Sequence, residues 1–366
     1  MRPIPGVAAV LASLACVFFF LRHVARAYAG LSYPVVVLII ILCMAIILGG
    51  CELFANGVEN LGRHMNLSHA AAGGILAAVG TALPETLIPI FALISGAKQH
   101  SEGIAVGAIL GAPFMLSTLA MFFLGVTVFI LWLKKDRKRP LLYANINTLV
   151  TDLSFFIPTM VLVLMVSLWG NTVIKYLGAL GLIIVYAVFC KITLSHEAEE
   201  GEEYEEKLYF NCYLGCSRTL ANMVVQIVIG LLFIIAGAHI FIECITIVSI
   251  KSGISSLVLS LIISPIATEL EEKYNSITWT VKGKDTLAMA NITGAMIFQS
   301  TIPLSIGMVF THWTLGHTEL LNIMIAIAMA AVIIITVKIK KTLPGWTLLI
   351  GGIFYAAYMV RIFMHY

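Results

Sequence analysis

Apolar residues in this chain come in long runs separated by short polar stretches, from one end to the other. Runs of about 20 apolar residues are long enough to cross the hydrocarbon core of a bilayer as α-helices. The pattern predicts ten core spans, at roughly 31–60, 70–97, 103–133, 142–167, 172–194, 219–248, 254–281, 285–310, 318–337 and 344–364, preceded by an extra segment at about 5–27. That first segment has the order of a signal peptide, with Arg2 ahead of an apolar run. The run reaches Leu21 and Arg22 without a small-residue cleavage site, which favours a retained helix.

Composition agrees with this pattern. Hydrophobic residues make up 60% of the 366 and charged residues 11%, against about 25% charged in a soluble domain. The prediction is an all-α polytopic membrane protein with no soluble domain large enough to hold a separate function. Its divisions are an N-terminal helix at 1–30, a first half at 31–194, an acidic linker at 195–218 and a second half at 219–366.

The placement of charge orients the chain. Alternate loops hold Arg2, Arg63, the run from Lys134 to Arg139, Lys191, Lys207, Arg218, Lys282, Lys284, Lys338, Lys340 and Lys341. The opposite side holds Arg22, Arg26, Lys98, Lys175, Lys251 and Arg361. The positive-inside rule makes the richer side cytoplasmic. The N-terminus and the 195–218 linker then face the cytoplasm, in the plasma or inner membrane. Lys273 alone among the basic residues lies within a span.

The seven cysteines are scattered and mostly deep in spans, which argues against a disulfide framework. Cys212 and Cys216 have no nearby histidine, so free thiols are expected rather than a zinc site. The linker string from His196 and Glu197 to Glu200 resembles a zinc-protease helix, but its last position is glutamate instead of histidine. A solvated acidic linker is the expectation there.

Sliding the sequence on itself by 187 residues aligns about 70 positions without a gap. Gly50, Phe54, Ser68, Thr81, Leu83, Glu85, Gly107 and Ala108 fall on Gly237, Phe241, Ser255, Thr268, Leu270, Glu272, Gly294 and Ala295. The second core span thus matches the seventh. Five intervening steps are odd, so the two copies enter the membrane from opposite faces. The prediction is ten core helices arranged as two inverted five-helix repeats, the usual frame of a secondary transporter.

Both copies carry a proline close to the matched glutamate. Pro84 would leave the carbonyl of Gly80 without a helical partner, and Pro265 would do the same to Leu261. Irregular backbone at membrane depth is tolerated where it is buried in protein or lines a watery cavity. Freed carbonyls beside carboxylates make cation ligands. Each ionisable side chain at a helix centre costs roughly 2.5–3.5 kcal/mol, so Glu85, Glu269, Glu271, Glu272 and Lys273 require a reason. On a helix, Pro265, Thr268, Glu269, Glu272 and Ser276 share one face, with Glu271 about 100° away. A Glu269–Lys273 salt bridge at i,i+4 is the structural alternative for Glu269. It leaves unexplained why Glu85 and Glu272 occupy equivalent points of the repeat.

The strings "GTALPE" with "GIAVGAILGAPF", and "ATELEE" with "ANITGAMIFQST", resemble the paired α-repeats of the cation/calcium exchanger superfamily, which contains the sodium/calcium exchangers. The preceding "CELFANGVENLGRHMNLS" is similar to that family's first repeat helix. The resemblance is close over 50–118 and 237–305. It implies an antiporter exchanging Ca²⁺ for Na⁺, H⁺ or K⁺ by alternating access. Glu85 and Glu272 would be the central metal ligands, and Thr81 and Thr268 would offer hydroxyl and backbone oxygens. The sequence departs from the family pattern at Ala82, Glu269, Glu271, Ala112 and Gln299. Fewer neutral oxygens remain for sodium, and an additional carboxylate is present. These departures point to one divalent site and to proton coupling, since buried carboxylates exchange H⁺ for metal.

Other polar residues fall in the same region. Gln299 and Asn291 are neutral oxygen donors expected to face Glu272. Glu52, Asn56 and Glu59 form a stripe on the first core span that the repeat sets against His239, Glu243 and Thr246. These line an ion route or mark helix ends, with Glu59 against Arg63. Asp152, sharing a face with Asn145 and Thr148, packs neighbouring helices or gates the path. Gly103, Gly107 and Gly111 form a ridge for close helix packing.

The chain is not expected to be an enzyme, because the residues of an intramembrane hydrolase are missing. A cation channel or a monovalent cation/proton exchanger are the alternatives. The expected partners are the lipid bilayer and small inorganic cations, without nucleic acid or a resident cofactor. Calcium is the expected cargo, with Na⁺ or H⁺ as counter-ion.

Overall fold

The computed structural model describes residues 33–64, 83–94, 98–195, 208–215 and 217–365. The segment expected as an N-terminal helix, Thr81, and the core of the acidic linker lie outside these residues. The described chain is almost wholly helical. In order it forms α1 (Tyr33–His64), α2 (Leu83–Ile94), α3 (Lys98–Met115), a π-helical turn (Leu116–Ala120) and α4 (Met121–Leu133). After the two-residue strand β1 (Leu141–Leu142) come α5 (Ile146–Trp169), α6 (Thr172–Ser195), the short α7 (Tyr209–Leu214) and α8 (Leu220–Ser252). The remainder is α9 (Ser256–Thr268), α10 (Leu270–Val281), α11 (Asp285–Gln299), α12 (Ile302–Phe310), α13 (His317–Lys340), β2 (Leu343–Pro344) and α14 (Gly345–His365).

Among the described residues, eight helical stretches are long and apolar enough to cross a membrane. They are α1, the continuous α3–α4 run, α5, α6, α8, the α11–α12 run, α13 and α14. Two expected spans are not among them. Of 70–97, the described part is the 12-residue α2. The 254–281 stretch is divided at Glu269 into α9 and α10, of 13 and 12 residues. These are the two stretches that carry the matched glutamates.

The described helices sort into two compact units, and each draws on both halves of the sequence. One contains α1, α2, α7 and α8; the other contains α4, α5 and everything from α9 onward, with α3 and α6 running into both. In the first unit, α1 and α8 lie against each other along a glycine-lined seam. A Cβ at Gly230 would stand 2.7 Å from the Gly50 carbonyl oxygen, and one at Gly50 would stand 2.9 Å from that of Gly230. Only hydrogen in place of a side chain permits that approach. Thr219 caps the start of α8 by accepting the Asn222 N–H, and Gly253, at φ 74°, ends it.

The second unit is built round a continuous apolar core that includes Leu110, Met121, Phe156, Met296 and Ile333. The π-helical turn adds a residue to one turn of a long span, a distortion common at functional sites. It presses the Thr118 carbonyl against Gly351, where any side chain would collide with it. The strands β1 and β2 pair antiparallel, Leu141 with Pro344 and Leu142 with Leu343, tying the loop after α4 to the loop after α13. Many apolar side chains on α6 face outward, Leu177, Leu180 and Ile184 among them. That is the expected exterior of a helix bathed in lipid.

Candidate cation site

The site grows out of the discontinuity between α9 and α10. Pro265 lies inside α9. It has no N–H for the carbonyl of Leu261, four residues back. The helix nevertheless continues past the proline: the Glu269 N–H bonds to the Pro265 carbonyl at 3.1 Å. The dihedral angles leave the helical region at Glu269, with φ −90° and ψ 11°. The break therefore falls a turn later than Pro265 alone suggested. In the first repeat, Pro84 is the second residue of the described α2.

The backbone round Leu261 is approached by α3. A side chain at Gly111 would overlap the Leu261 carbonyl oxygen, and one at Gly107 that of Leu257. The glycine ridge lets α3 lie on the backbone of α9.

At the break itself, Glu269 is wholly buried and Glu272 is 1% exposed. Lys273 Nζ donates to Glu269 Oε2 at 2.9 Å, so the i,i+4 pair foreseen as the structural alternative is formed. Glu269 Oε1 and both carboxylate oxygens of Glu272 have no hydrogen-bond partner among the described residues. Thr268 is buried and donates its hydroxyl to the Ser264 carbonyl at 3.2 Å. The side chain of Glu271 lies outside the described atoms.

Opposite this stretch stands α11. Asn291 Nδ2 donates to the Glu272 backbone carbonyl at 3.1 Å and to Ser276 Oγ at 3.0 Å. Ser276 in turn donates to the Ala288 carbonyl. Gln299 lies two turns further along α11, about 12 Å by helical rise. It is fully buried, and neither amide atom has a partner among the described residues. The structure thus brings Thr268, Glu269, Glu272 and Asn291 to one break and places Gln299 farther along the facing helix. Glu85 lies on the described part of α2, with its side chain outside the described atoms.

Buried carboxylate oxygens without partners are costly unless they hold a proton or a cation. Carboxylate, carbonyl, hydroxyl and amide oxygens together suit a hard cation. Among the described residues no three His, Cys, Asp or Glu side chains cluster in metal-binding geometry. Any shell at this break would combine carboxylates with neutral oxygens.

The residues considered for the ion route are dispersed. Asp152 is buried on α5 and accepts a short hydrogen bond from Thr293 on α11, joining two helices of the second unit. In the first unit, Glu52 is exposed and accepts from Tyr209 Oη at 3.0 Å. Glu243 pairs with His239, Oε1 to Nε2, at 3.4 Å. The side chain of Glu59 lies outside the described atoms.

Two arrangements were not foreseen. Asn56 Oδ1 accepts from Tyr209 N and Gln226 Nε2, both at 3.0 Å, while Gln226 Oε1 accepts from Phe210 N at 2.9 Å. This clasp holds α7, which lies in the later part of the 195–218 linker, onto α1 and α8. Asn56 and Gln226, two amide side chains within apolar runs, were its sequence signals. In the second unit, Arg137 grips Asp285 with both terminal guanidinium nitrogens, at 2.6 and 2.5 Å. Arg137 also donates to the Thr280 carbonyl, and Tyr143 N donates to Asp285 Oδ2.

Residues 35–194 and 222–366 match the family described as Sodium/calcium exchanger protein. The chain belongs to that family. The unmatched interval between the two segments, 195–221, contains the whole acidic linker. This exchanger-family chain is 22% identical over 313 residues to an uncharacterized membrane protein of Methanocaldococcus jannaschii, covering 86% of this chain and 92% of that one. Its fold is similar to that of the H⁺/Ca²⁺ exchanger CAX, with a TM-score of 0.70 at 15% identity over 99% of this chain and 89% of the other. The sodium-calcium exchanger NCX_Mj gives a TM-score of 0.55 at 19% identity, over 90% of this chain and 99% of the other. The chain is a multi-pass membrane transporter of the exchanger family.

Proposed function

We propose that the protein is a secondary antiporter that moves Ca²⁺ against Na⁺ or H⁺ by alternating access. The family match over both halves supports antiport of a cation. The observation that carries the site is Glu272: a carboxylate 1% exposed, with neither oxygen partnered among the described residues, at a helix discontinuity. Glu85 is the corresponding ligand of the first repeat, by the 187-residue offset. Thr268, Glu269, Asn291 and Gln299 supply or position further oxygens, and Thr81 is the counterpart of Thr268. The ten-helix inverted repeat belongs to the same reading, with α9 and α10 together forming one interrupted span and α2 the end of another. The basic loops place the N-terminus and the linker on the cytoplasmic side.

Calcium is retained as the cargo because the break offers carboxylates and neutral oxygens together. Proton coupling is the favoured counter-transport: metal and proton compete for the same carboxylate oxygens, so loading one releases the other. Reconstituted protein in sealed liposomes tests this. Radioactive calcium uptake is followed with an outward H⁺ gradient, an outward Na⁺ gradient or neither. Uptake driven by the H⁺ gradient is expected; gradient-independent flux would instead indicate a channel.

A further inference from the structure

Lys273 presents a problem that the proposed ligand set does not solve. It is 6% exposed, next in sequence to Glu272, within a membrane-embedded stretch. A positive charge there opposes the binding of any transported cation, and an isolated lysine at a helix centre costs a few kcal/mol. If Lys273 only neutralised Glu269, an apolar pair would do the same without the desolvation cost of two ions.

The atoms that hold the ammonium suggest another role. Nζ stands 2.9 Å from Glu269 Oε2 and 3.4 Å from the Pro265 carbonyl oxygen. A carboxylate and a main-chain carbonyl beside a helix break are the donors from which membrane transporters build monovalent-cation sites. The Pro265 carbonyl keeps its helical bond from the Glu269 N–H and offers its second lone pair. The side chain delivers a single positive charge to that donor pair from one turn away. Beside it, Glu269 Oε1 and the Glu272 carboxylate have no partner among the described residues.

We infer that Lys273 is a tethered counter-cation: its ammonium fills a monovalent-cation position made by Glu269 and the Pro265 carbonyl, so that this position takes no transported ion. The covalently held charge replaces a soluble one and lowers the number of monovalent ions the protein binds. Glu272 is left free for the moving cation. Lys273 is thereby a specificity-determining residue. This deepens the proposed function and rests on its placement of the cation site at the α9–α10 break.

The test reads binding rather than transport, so its failure is distinct from the failure of calcium exchange. Melting temperature of the purified full chain is measured against Na⁺ concentration, with choline holding ionic strength constant. The slope counts the Na⁺ ions linked to the folded state. Lys273→Met vacates the position and is expected to raise the linked count by about one over the unmodified protein. The double variant Glu269→Gln with Lys273→Met removes both charges and is expected to return to the unmodified count. Should Lys273→Met fold poorly without salt, recovery in Na⁺ and not in choline supports the inference. An unchanged Na⁺ count in Lys273→Met, an equal rise in the double variant, or misfolding that Na⁺ does not relieve would each overturn it and leave Lys273 a structural ion-pair partner.

Discussion

Asn291 donates its side-chain amide to the backbone carbonyl of Glu272, 3.1 Å away, and in doing so pins the break in one helix to the face of another. The second bond, to Ser276 Oγ, extends the grip by one turn. Position at a cation site is set by such contacts as much as by the ligands themselves.

Replacing Asn291 with Leu removes both bonds at nearly constant volume. Each hydrogen bond contributes about 0.5–1.5 kcal/mol net. A modest loss of stability is expected, with a several-fold rise in the calcium concentration giving half-maximal uptake. Initial rates over a calcium series, beside a thermal melt of the same preparation, separate the two effects.

Arg137 and Asp285 form a bidentate pair, 9% and 2% exposed, that joins the loop after α4 to the start of α11. Removing one partner strands the other charge, at a cost of about 3–5 kcal/mol. Asp285→Ala is expected to lower the melting temperature sharply. A double replacement, Arg137→Met with Asp285→Leu, is expected to recover much of the loss. Equal melting temperatures for the single variant and the unmodified protein would show that the pair contributes little.

Gly107 and Gly111 leave α3 no space for a side chain where it meets the α9 backbone. Overpacking of this kind costs typically 1–3 kcal/mol, and more where backbone must move. Gly111→Val is expected to reduce both folded yield and uptake, whereas Gly49→Val, where a Cβ meets no atom within 4 Å, is expected to be neutral. Size-exclusion profiles and uptake of the two variants make the comparison.

Lowering the pH on the calcium-loading side is expected to slow uptake. A carboxylate must give up its proton to ligate metal, so falling pH removes binding-competent protein. The sign is specific: raising calcium at low pH should restore the rate, as competition requires. A maximal rate that falls at low pH and is not recovered by calcium would point to a proton acting elsewhere.

The apolar spans were legible because the bilayer imposes a length on every helix that crosses it, and α5, α6, α8 and α13 lie where the runs placed them. The 187-residue repeat sets Glu85 against Glu272 in the sequence, and only Glu272 of the two has a described side chain. The Glu269–Lys273 pair could be read for a local reason, since four residues bring two side chains onto one helix face. Asp285 carried no such signal. Its partner Arg137 sits 148 positions away in a basic run that the positive-inside rule already explained. Asp152 and Thr293, 141 positions apart, pose the same difficulty. The exact place of the break was also hidden: Pro265 announces a lost hydrogen bond, yet the Glu269 N–H still reaches the proline's carbonyl, which carries the helix a further turn.

The measurement closest to the central claim is gradient-driven calcium uptake by Glu272→Gln beside Glu272→Asp. Glutamine keeps the size and polarity of the side chain but removes the charge, and aspartate keeps the charge on a shorter arm. The account predicts that Glu272→Gln melts normally and transports no calcium, while Glu272→Asp retains slow exchange. Gradient-driven uptake by Glu272→Gln at the unmodified rate would contradict it, because the buried carboxylate would then not be a ligand of the transported ion.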